Sequence, residues 1–172
     1  MNTRRVRAFL AGCILLALNG CAGYQLGPVN GLQAGEKSIE INAFGNHTLQ
    51  PGLTDSLTMQ LRKEIQRDGT YKLDTSGDPD LIVNGTIMQY QRLEVTLSSS
   101  DILTVKDYRL TLTAQVTARE RATGKVLIDQ SVSGYTLIRV GSDLTSAERQ
   151  AMPLLAQDLA RRVTALLAEG KW

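Results

Sequence analysis

The sequence predicts an α+β fold: a two-layer sandwich with a mostly antiparallel sheet of about four strands and two helices packed on one face. Two segments carry apolar residues at the three- and four-residue spacing of amphipathic helices. Two long segments alternate between apolar and polar residues, as strands of a half-covered antiparallel sheet do. Because each element has one apolar face, the helices and the sheet can bury one another's apolar surface.

The first twenty residues have the composition of a secretory signal peptide. Arg4, Arg5 and Arg7 precede an apolar stretch over residues 8–18, which is too short to span a bilayer as a helix. The stretch leads into Leu18-Asn19-Gly20-Cys21, which resembles the lipobox of bacterial lipoproteins. In such signals the peptide is cut before the cysteine, which carries diacylglycerol and an acylated amine.

A second cysteine offers a competing cleavage site. Leu10-Ala11-Gly12-Cys13 matches the lipobox fully, but cleavage there leaves an apolar stretch of only about five residues. We therefore expect residues 1–20 to be the signal peptide and residues 21–36 to be a lipidated Cys21 with its tether. An ordinary secreted protein with two cysteines is the alternative. By resemblance to known lipoproteins, Ala22 and Gly23 lack the aspartate that retains such proteins in the inner membrane, which favours the outer membrane.

The remaining residues, 37–172, are expected to form one periplasmic domain. Removal of the three signal-peptide arginines from 19 basic residues leaves 16 against 17 acidic ones, so the mature chain is nearly neutral. Nucleic-acid binding usually needs a large basic excess, and it is therefore not expected. The aromatic content of 5% means that aliphatic residues must fill most of the core.

The first half of the domain predicts a strand, a helix and two further strands. Residues 37–44 alternate, with Ile39, Ile41 and Ala43 expected on the inner face. A turn follows, with Pro51 where a helix can start and Asp68-Gly69 where it ends. A short strand over 71–74 and a longer one over 81–91 come next. The expected core residues are Leu53, Leu57, Leu61 and Ile65 of the helix and Leu81, Val83 and Ile87 of the longer strand.

The second half predicts two long strands and a long helix. A hairpin tip is expected at Ser98–Asp101 and a turn at Thr123-Gly124. Thr145 to Glu148 has the pattern of a capping box that opens the last helix, and Pro153 should kink that helix or reset its start. The expected inward residues are Tyr108, Leu110, Leu112, Ala114, Val116 and Ala118, then Val126, Ile128, Val132, Ile138 and Val140, and finally Met152, Leu155, Leu159, Val163 and Leu166 of the helix.

The residues give no support for catalysis. The mature chain has one histidine, His47, and no cysteine beyond the anchor, so a zinc site made of these ligands is not expected. Neither a phosphate-binding glycine loop nor a nucleophile elbow occurs. His47 lies in a predicted turn, where a solvated role is the ordinary one. We expect a protein that is not an enzyme and has no metal or other cofactor.

The domain resembles the LPS-assembly lipoprotein family, LptE-like, whose members are partners of the outer-membrane barrel LptD. Gly23-Tyr24-Gln25-Leu26 looks like the family's opening, and Phe44-Gly45-Asn46-His47-Thr48 with Pro51-Gly52-Leu53 resembles the run that follows it. Asp80 to Ile87 looks like the family's acidic, aliphatic and glycine-containing strand. The Tyr108 strand, the hairpin at residues 123–127 and the last helix follow in family order.

The resemblance implies a subunit of the LPS translocon that acts as plug and assembly factor for a β-barrel and assists LPS insertion into the outer leaflet. A barrel lumen is polar, so its guest needs a polar, hydrogen-bonding surface. The alternation of the two long strands supplies one, although any half-exposed sheet has such positions. The candidate barrel-facing residues are Thr111, Thr113, Gln115, Thr117, Ser131 and Ser133.

Basic residues also gather in the second half of the domain. Arginine pairs with phosphate in a two-pronged geometry, and phosphate is a group that lipid A presents. Acidic residues are interspersed, however, and such charges often only solvate a surface. The candidate LPS or phosphate contacts are Lys106, Arg109, Arg119, Arg121, Lys125 and Arg139. The competing hypothesis is a free-standing periplasmic lipoprotein that binds a cell-envelope ligand without a barrel.

Overall fold

The structure, a computed structural model, describes residues 33–95, 106–140 and 143–170, except for the side chains of Lys106 and Val140. The predicted signal peptide, the Cys21 anchor, most of the tether and the hairpin tip at Ser98–Asp101 lie outside the described residues. No helix in the described ranges combines the length and the apolar character needed to cross a membrane.

The described residues fold into a mixed sheet of six strands with two helices on one face. The strands are β1 (Lys37–Ile41), β2 (Gly45–Asn46), β3 (Tyr71–Leu73), β4 (Leu81–Val95), β5 (Lys106–Glu120) and β6 (Val126–Val140). The helices are α1 (Leu53–Asp68) and α2 (Leu144–Glu169). The α+β sandwich predicted from the sequence is confirmed, with six strands instead of about four.

The sheet joins a small parallel part to a long antiparallel part. Its strand order is β3-β1-β4-β5-β6, and β2 pairs with β4 beside β1. Strands β1 and β2 run parallel to β4, and β3 runs parallel to β1. Strands β4, β5 and β6 form an antiparallel meander in which fifteen-residue strands pair along nearly their whole lengths. The edge strands are therefore β3, which is short, and β6, which is long.

Helix α1 lies where its apolar stripe predicts. The predicted stripe of Leu53, Leu57, Leu61 and Ile65 is at most 1% exposed throughout. Gly69 ends the helix with a φ of 76°, in the left-handed region that glycine adopts easily, and its N–H donates to the carbonyl of Ile65.

The prediction that Ala43 lies on the inner face of the strand over residues 37–44 is wrong. Ala43 is exposed, and Phe44 is buried in its place because the strand ends at Ile41. The ring of Phe44 lies over Gly85 so closely that a Cβ there would be 2.1 Å from it. This contact fixes the end of β1 against β4.

Strand β4 contains one residue more than its partner between Ile87 and Gln89. Such a bulge shifts the alternation, so Tyr90 and Arg92 turn towards the helices instead of away from them. Arg92 forms an ion pair with Glu148 of α2 at 2.6 Å. The extra residue, Met88, is half-exposed.

Strand β6 also contains an irregularity, which makes the prediction for Val126 wrong. The register shifts between Ala118 and Arg119, so that Val126 pairs with Arg119 and is exposed, whereas Ile128 pairs with Ala118 and is buried. The predicted inward positions of Ile128, Val132 and Ile138 are confirmed.

Helix α2 crosses β6 at a glycine. A Cβ on Gly134 would lie 2.5 Å from the backbone nitrogen of Leu159, so only glycine fits at this approach. The predicted burial of Leu155, Leu159 and Val163 is confirmed, and Met152 and Leu166 are partly buried. The crossing holds the long helix against the edge of the sheet.

The start of α2 differs from the predicted capping box. Asp143 is the N-cap, and its carboxylate accepts from the amides of Thr145 and Ser146 at 3.0 and 3.2 Å. Glu148 is instead used in the ion pair with Arg92. The helix continues through Pro153, so this residue does not reset its start.

Candidate functional site

The face of β4, β5 and β6 that points away from the helices is a broad surface that the described elements leave open. We call it the uncovered face. On β5 its half-buried residues alternate with fully buried ones such as Leu112 and Val116. All six residues predicted to face a barrel lie on it: Thr111, Thr113, Gln115, Thr117, Ser131 and Ser133.

The middle of the uncovered face is a hydrogen-bonded polar section. The hydroxyls of Thr113 and Ser133 are 2.8 Å apart across the strand pair. The amide nitrogen of Gln115 donates to a carboxylate oxygen of Asp129 at 2.6 Å, and Thr117 donates to the same oxygen at 3.5 Å. These hydrogen bonds link β5 to β6, and the side chains that form them remain at least partly exposed. The polar section consists of Thr113, Gln115, Thr117, Asp129, Ser131 and Ser133.

The end of the uncovered face near the start of β5 is different. Leu93, Arg109 and Leu137 stand side by side in register on three neighbouring strands. Both leucines are more than half exposed. The guanidinium of Arg109 lies 5.4 Å from the ring centre of Tyr135, within range of a cation–π interaction. We call these four residues the amphipathic end, because it offers one cation between apolar side chains.

The six candidate LPS or phosphate contacts do not form one cluster. Arg109 and Arg139 lie near the start of β5, together with the backbone of Lys106, whereas Arg119, Arg121 and Lys125 lie near its end. Ten residues of strand separate Arg109 from Arg119, or about 33 Å. A single phosphate group therefore cannot contact both sets.

The cations also differ in how far they are already neutralised. Arg139 pairs with Asp107 at 3.1 Å, and Arg121 pairs with Asp78. Arg109 has no carboxylate partner among the described residues, and its guanidinium lies over the ring of Tyr135. Of the candidates near the start of β5 whose side chains are described, Arg109 is the cation available to an anionic ligand.

The edge of β6 is held by a carboxylate from α2. The amide of Tyr135 donates to Asp158 at 3.0 Å, and Asp158 also accepts from Arg161 and Arg162. Partial burial alone would raise the pKa of Asp158, but the Tyr135 amide and the two arginines outweigh it and lower the pKa below its ordinary value. Asp158 is therefore ionised over the physiological pH range.

The described residues contain no group of side chains suited to hold a metal ion. An open groove of about 690 Å³ lies between α1 and the loop around Ala43, and smaller open hollows lie between α1 and α2 and beside His47. His47 lies in a turn and is exposed, as expected. The candidate site is therefore a broad surface and not a pocket.

Sequence reasoning found the polar section but missed the amphipathic end. Leu93 lies beyond the strand predicted over residues 81–91, which in the structure extends to Val95, and the bulge at Met88 also reverses the alternation before it. Leu137 and Ile138 are adjacent apolar residues, and because neighbouring side chains of a strand point to opposite faces, one of the two must face outward. Asp158 and Arg162 were missed because their link to β6 depends on tertiary packing.

Comparison with protein families gives one match. A family model described as LptE, lipopolysaccharide-assembly, matches residues 36–167, which is most of the chain. A search of curated proteins found no match.

Solved structures share the fold at low sequence identity. A protein from Xanthomonas campestris superposes with a TM-score of 0.56 at 9% identity, covering 85% of this chain and 91% of that one. A protein from Chlamydia trachomatis gives 0.53 at 9% identity, with 77% and 95% covered. A Caulobacter crescentus protein described as a lipoprotein gives 0.52 at 11% identity, with 76% and 87% covered. At these identities the likeness shows the fold alone.

Proposed function

The chain belongs to the LptE lipopolysaccharide-assembly family, and on that premise we propose that it is an outer-membrane lipoprotein subunit of the LPS translocon. In this role it acts as plug and assembly factor for an LptD-like β-barrel and assists the insertion of LPS into the outer leaflet. The observation that carries the proposal is the polar section of the uncovered face. It presents hydrogen-bonding side chains over the two strands β5 and β6, which matches the polar lining of a barrel lumen.

The barrel contact is tested by charge inserted into the polar section. We expect the double change Thr113→Arg with Thr117→Arg to leave the domain folded, because both side chains point away from the core. The same variant should lose its barrel on affinity purification of the tagged full-length protein from membranes, and the outer membrane should admit large antibiotics. A control with the same added charge, Met59→Arg with Gln66→Arg, places both arginines on the exposed side of α1.

Three outcomes separate the hypotheses. A folded double variant that recovers as much barrel as the wild type would show that the polar section is not the plug surface. A wild-type protein that recovers no barrel would favour the free-standing periplasmic lipoprotein, for which the groove beside α1 is the candidate ligand site. Loss of the barrel in the α1 control as well would show that the effect of added charge is not specific to the sheet.

Direct LPS contact is proposed at the amphipathic end. Arg109 offers a guanidinium without a carboxylate partner, and Leu93 and Leu137 lie on either side of it. The guanidinium can bind a phosphate of LPS while the two leucines contact its acyl chains. Arg109→Ala should weaken binding of purified LPS by the detergent-solubilised protein about tenfold or more, since hydrogen bonds to charged groups contribute about 1.5–3 kcal/mol. Arg121→Ala, at the far end of β5, is the matched control and should bind LPS like the wild type.

Attachment to the membrane is proposed to depend on Cys21. We expect Cys21→Ser to give a soluble or unprocessed protein and Cys13→Ser to give a lipidated one. Mass spectrometry of the mature amino terminus measures the difference. Acyl chains found on Cys13 would contradict the proposal.

A further inference from the structure

The long edge strand β6 presents a row of backbone groups that no strand in the described part of the chain pairs with. The amide of Tyr135 donates to Asp158 of α2, which lies outside the sheet. In an antiparallel strand alternate residues direct their backbone groups to the same side, so every second residue of β6 counted from Tyr135 also directs its N–H and C=O groups away from β5. On the polar side of Tyr135 these residues are Asp129, Ser131 and Ser133, and all three are exposed. They supply a pattern of donors and acceptors that matches an extended polypeptide.

The sequence of β6 gives this edge little protection. Residues 130–138 contain no charged residue and no proline, although charge and proline are the usual devices that keep an edge strand from pairing. The opposite edge, β3, is only three residues long and contains Lys72. The difference indicates that the edge of β6 is covered in the functional state.

One side chain interrupts the edge, and it restricts what can pair there. Asp158 occupies the Tyr135 amide, with Arg161 and Arg162 bound to it. Two copies of β6 pairing antiparallel about the middle of the uncharged stretch would bring two of these charged groups into the pairing plane. A shorter extended segment that ends before Tyr135 meets no such obstacle. The arrangement therefore favours a different chain over a second copy.

We propose that an extended segment of the barrel partner adds to the sheet by pairing with Asp129, Ser131 and Ser133 of β6. This inference rests on the proposed function for the identity of the partner, and it adds the mode of contact. The edge is continuous with the polar section, because Ser131 and Ser133 belong to both. One segment of the partner can thus bind the backbone edge while the surrounding barrel wall faces the polar side chains. Addition of a strand to an open sheet edge is a known mode of peptide recognition.

The edge is tested with a proline. Ser133→Pro removes the outward N–H and leaves the hydrogen bonds between β5 and β6 in place, and edge strands tolerate proline at such positions. The full-length variant should keep its melting temperature within about 5 °C and should recover barrel at least about tenfold less well. The control, Ser133→Ala, loses the same hydroxyl but keeps the N–H, so it should recover several times more barrel than Ser133→Pro, and the difference between the two variants measures the contribution of the edge amide.

Hydrogen exchange of the wild type gives a second readout that does not depend on a variant folding. The amides of Ser131 and Ser133 should exchange rapidly in the free protein and about a hundredfold more slowly in the complex. Unchanged exchange in the complex, or normal barrel recovery by folded Ser133→Pro, overturns the inference and leaves the proposed function standing. Absence of barrel with the wild type overturns both. A wild-type dimer that Ser133→Pro converts to monomers would assign the edge to a second copy.

Discussion

The two faces of β4, β5 and β6 are made from alternate residues of the same strands, yet they differ in how tightly each residue is constrained. On the covered face Leu110 and Leu112 are fully buried, and Gly134 touches the backbone of α2. On the uncovered face Thr113 is half-buried, and its hydroxyl bonds to that of its cross-strand neighbour Ser133. The covered face therefore specifies the fold, whereas the uncovered face is constrained much less by packing.

The largest expected effect comes from a charge on the covered face. Leu159→Asp places an unpaired carboxylate at a fully buried position, which costs several kcal/mol and should unfold a domain stable by about 5–15 kcal/mol. Leu154→Asp is the matched control on the same helix, because Leu154 is 58% exposed. Leu57→Asp and Met59→Asp form the equivalent pair on α1. Thermal unfolding followed by circular dichroism measures all four, and equal melting temperatures within a pair would show that the helix faces are assigned wrongly.

The next effect comes from added volume on the covered face. Gly134→Ala inserts a Cβ against the backbone of Leu159, and backbone atoms of two packed elements cannot move aside as a side chain can. We expect a loss of about 3 kcal/mol, at the upper end of the usual range for overpacking. Ser133→Ala, one residue away on the uncovered face, should change stability by about 0.5 kcal/mol or less. Urea unfolding compares the two, and a similar small loss for both would contradict the close approach of α2.

A smaller, pH-dependent effect is expected where the two faces meet at the edge of β6. The pKa of Asp158 is lowered in the folded protein, so its charge stabilises the fold above the ordinary value of 3.8, and this contribution is lost as the pH falls through the folded pKa. Asp158→Asn should therefore be less stable than the wild type by about 1 kcal/mol at pH 7. The difference in the free energy of unfolding between the two proteins should narrow below about pH 4. A gap that stays constant from pH 7 to pH 3 in urea unfolding would exclude this charge as the cause.

The smallest effect is expected on the uncovered face itself. Thr113→Ala removes the hydroxyl that bonds to Ser133, and the exposed Ser133 hydroxyl can then bond to water instead. The free energy of unfolding should change by about 0.5 kcal/mol or less. A loss of unfolding free energy comparable to that of Gly134→Ala would mean that the polar section contributes to the stability of the fold. The two faces would then not differ in the way described above.

The sequence predicted those parts of the fold that depend on local periodicity. The stripe of α1 and the alternation of β5 follow from spacing alone, so Leu57 and Leu112 were placed correctly. The six proposed barrel-facing residues were placed on the uncovered face for the same reason. The two irregularities, at Met88 and before Ile128, were not predicted because an extra residue changes the phase of a strand without a local signal.

Contacts between residues far apart along the chain also could not be predicted from the sequence. Strand β2 has only two residues, too few to show a period, and its partner in β4 is about forty residues away along the chain. The link of Tyr135 to Asp158 depends on how α2 and β6 cross, and the stacking of Arg109 on Tyr135 depends on the register between β5 and β6. Periodicity therefore identified one part of the candidate site, and packing identified the other.

The bulge at Met88 has a consequence for comparing this chain with its relatives. Beyond that residue, each position of β4 up to Val95 faces the side that simple alternation would assign to its neighbour. A relative whose strand lacks the extra residue must be aligned with a one-residue gap there. Without the gap, Leu93 would be matched to a core position and Arg92 to a solvent position, and the amphipathic end would disappear from the alignment.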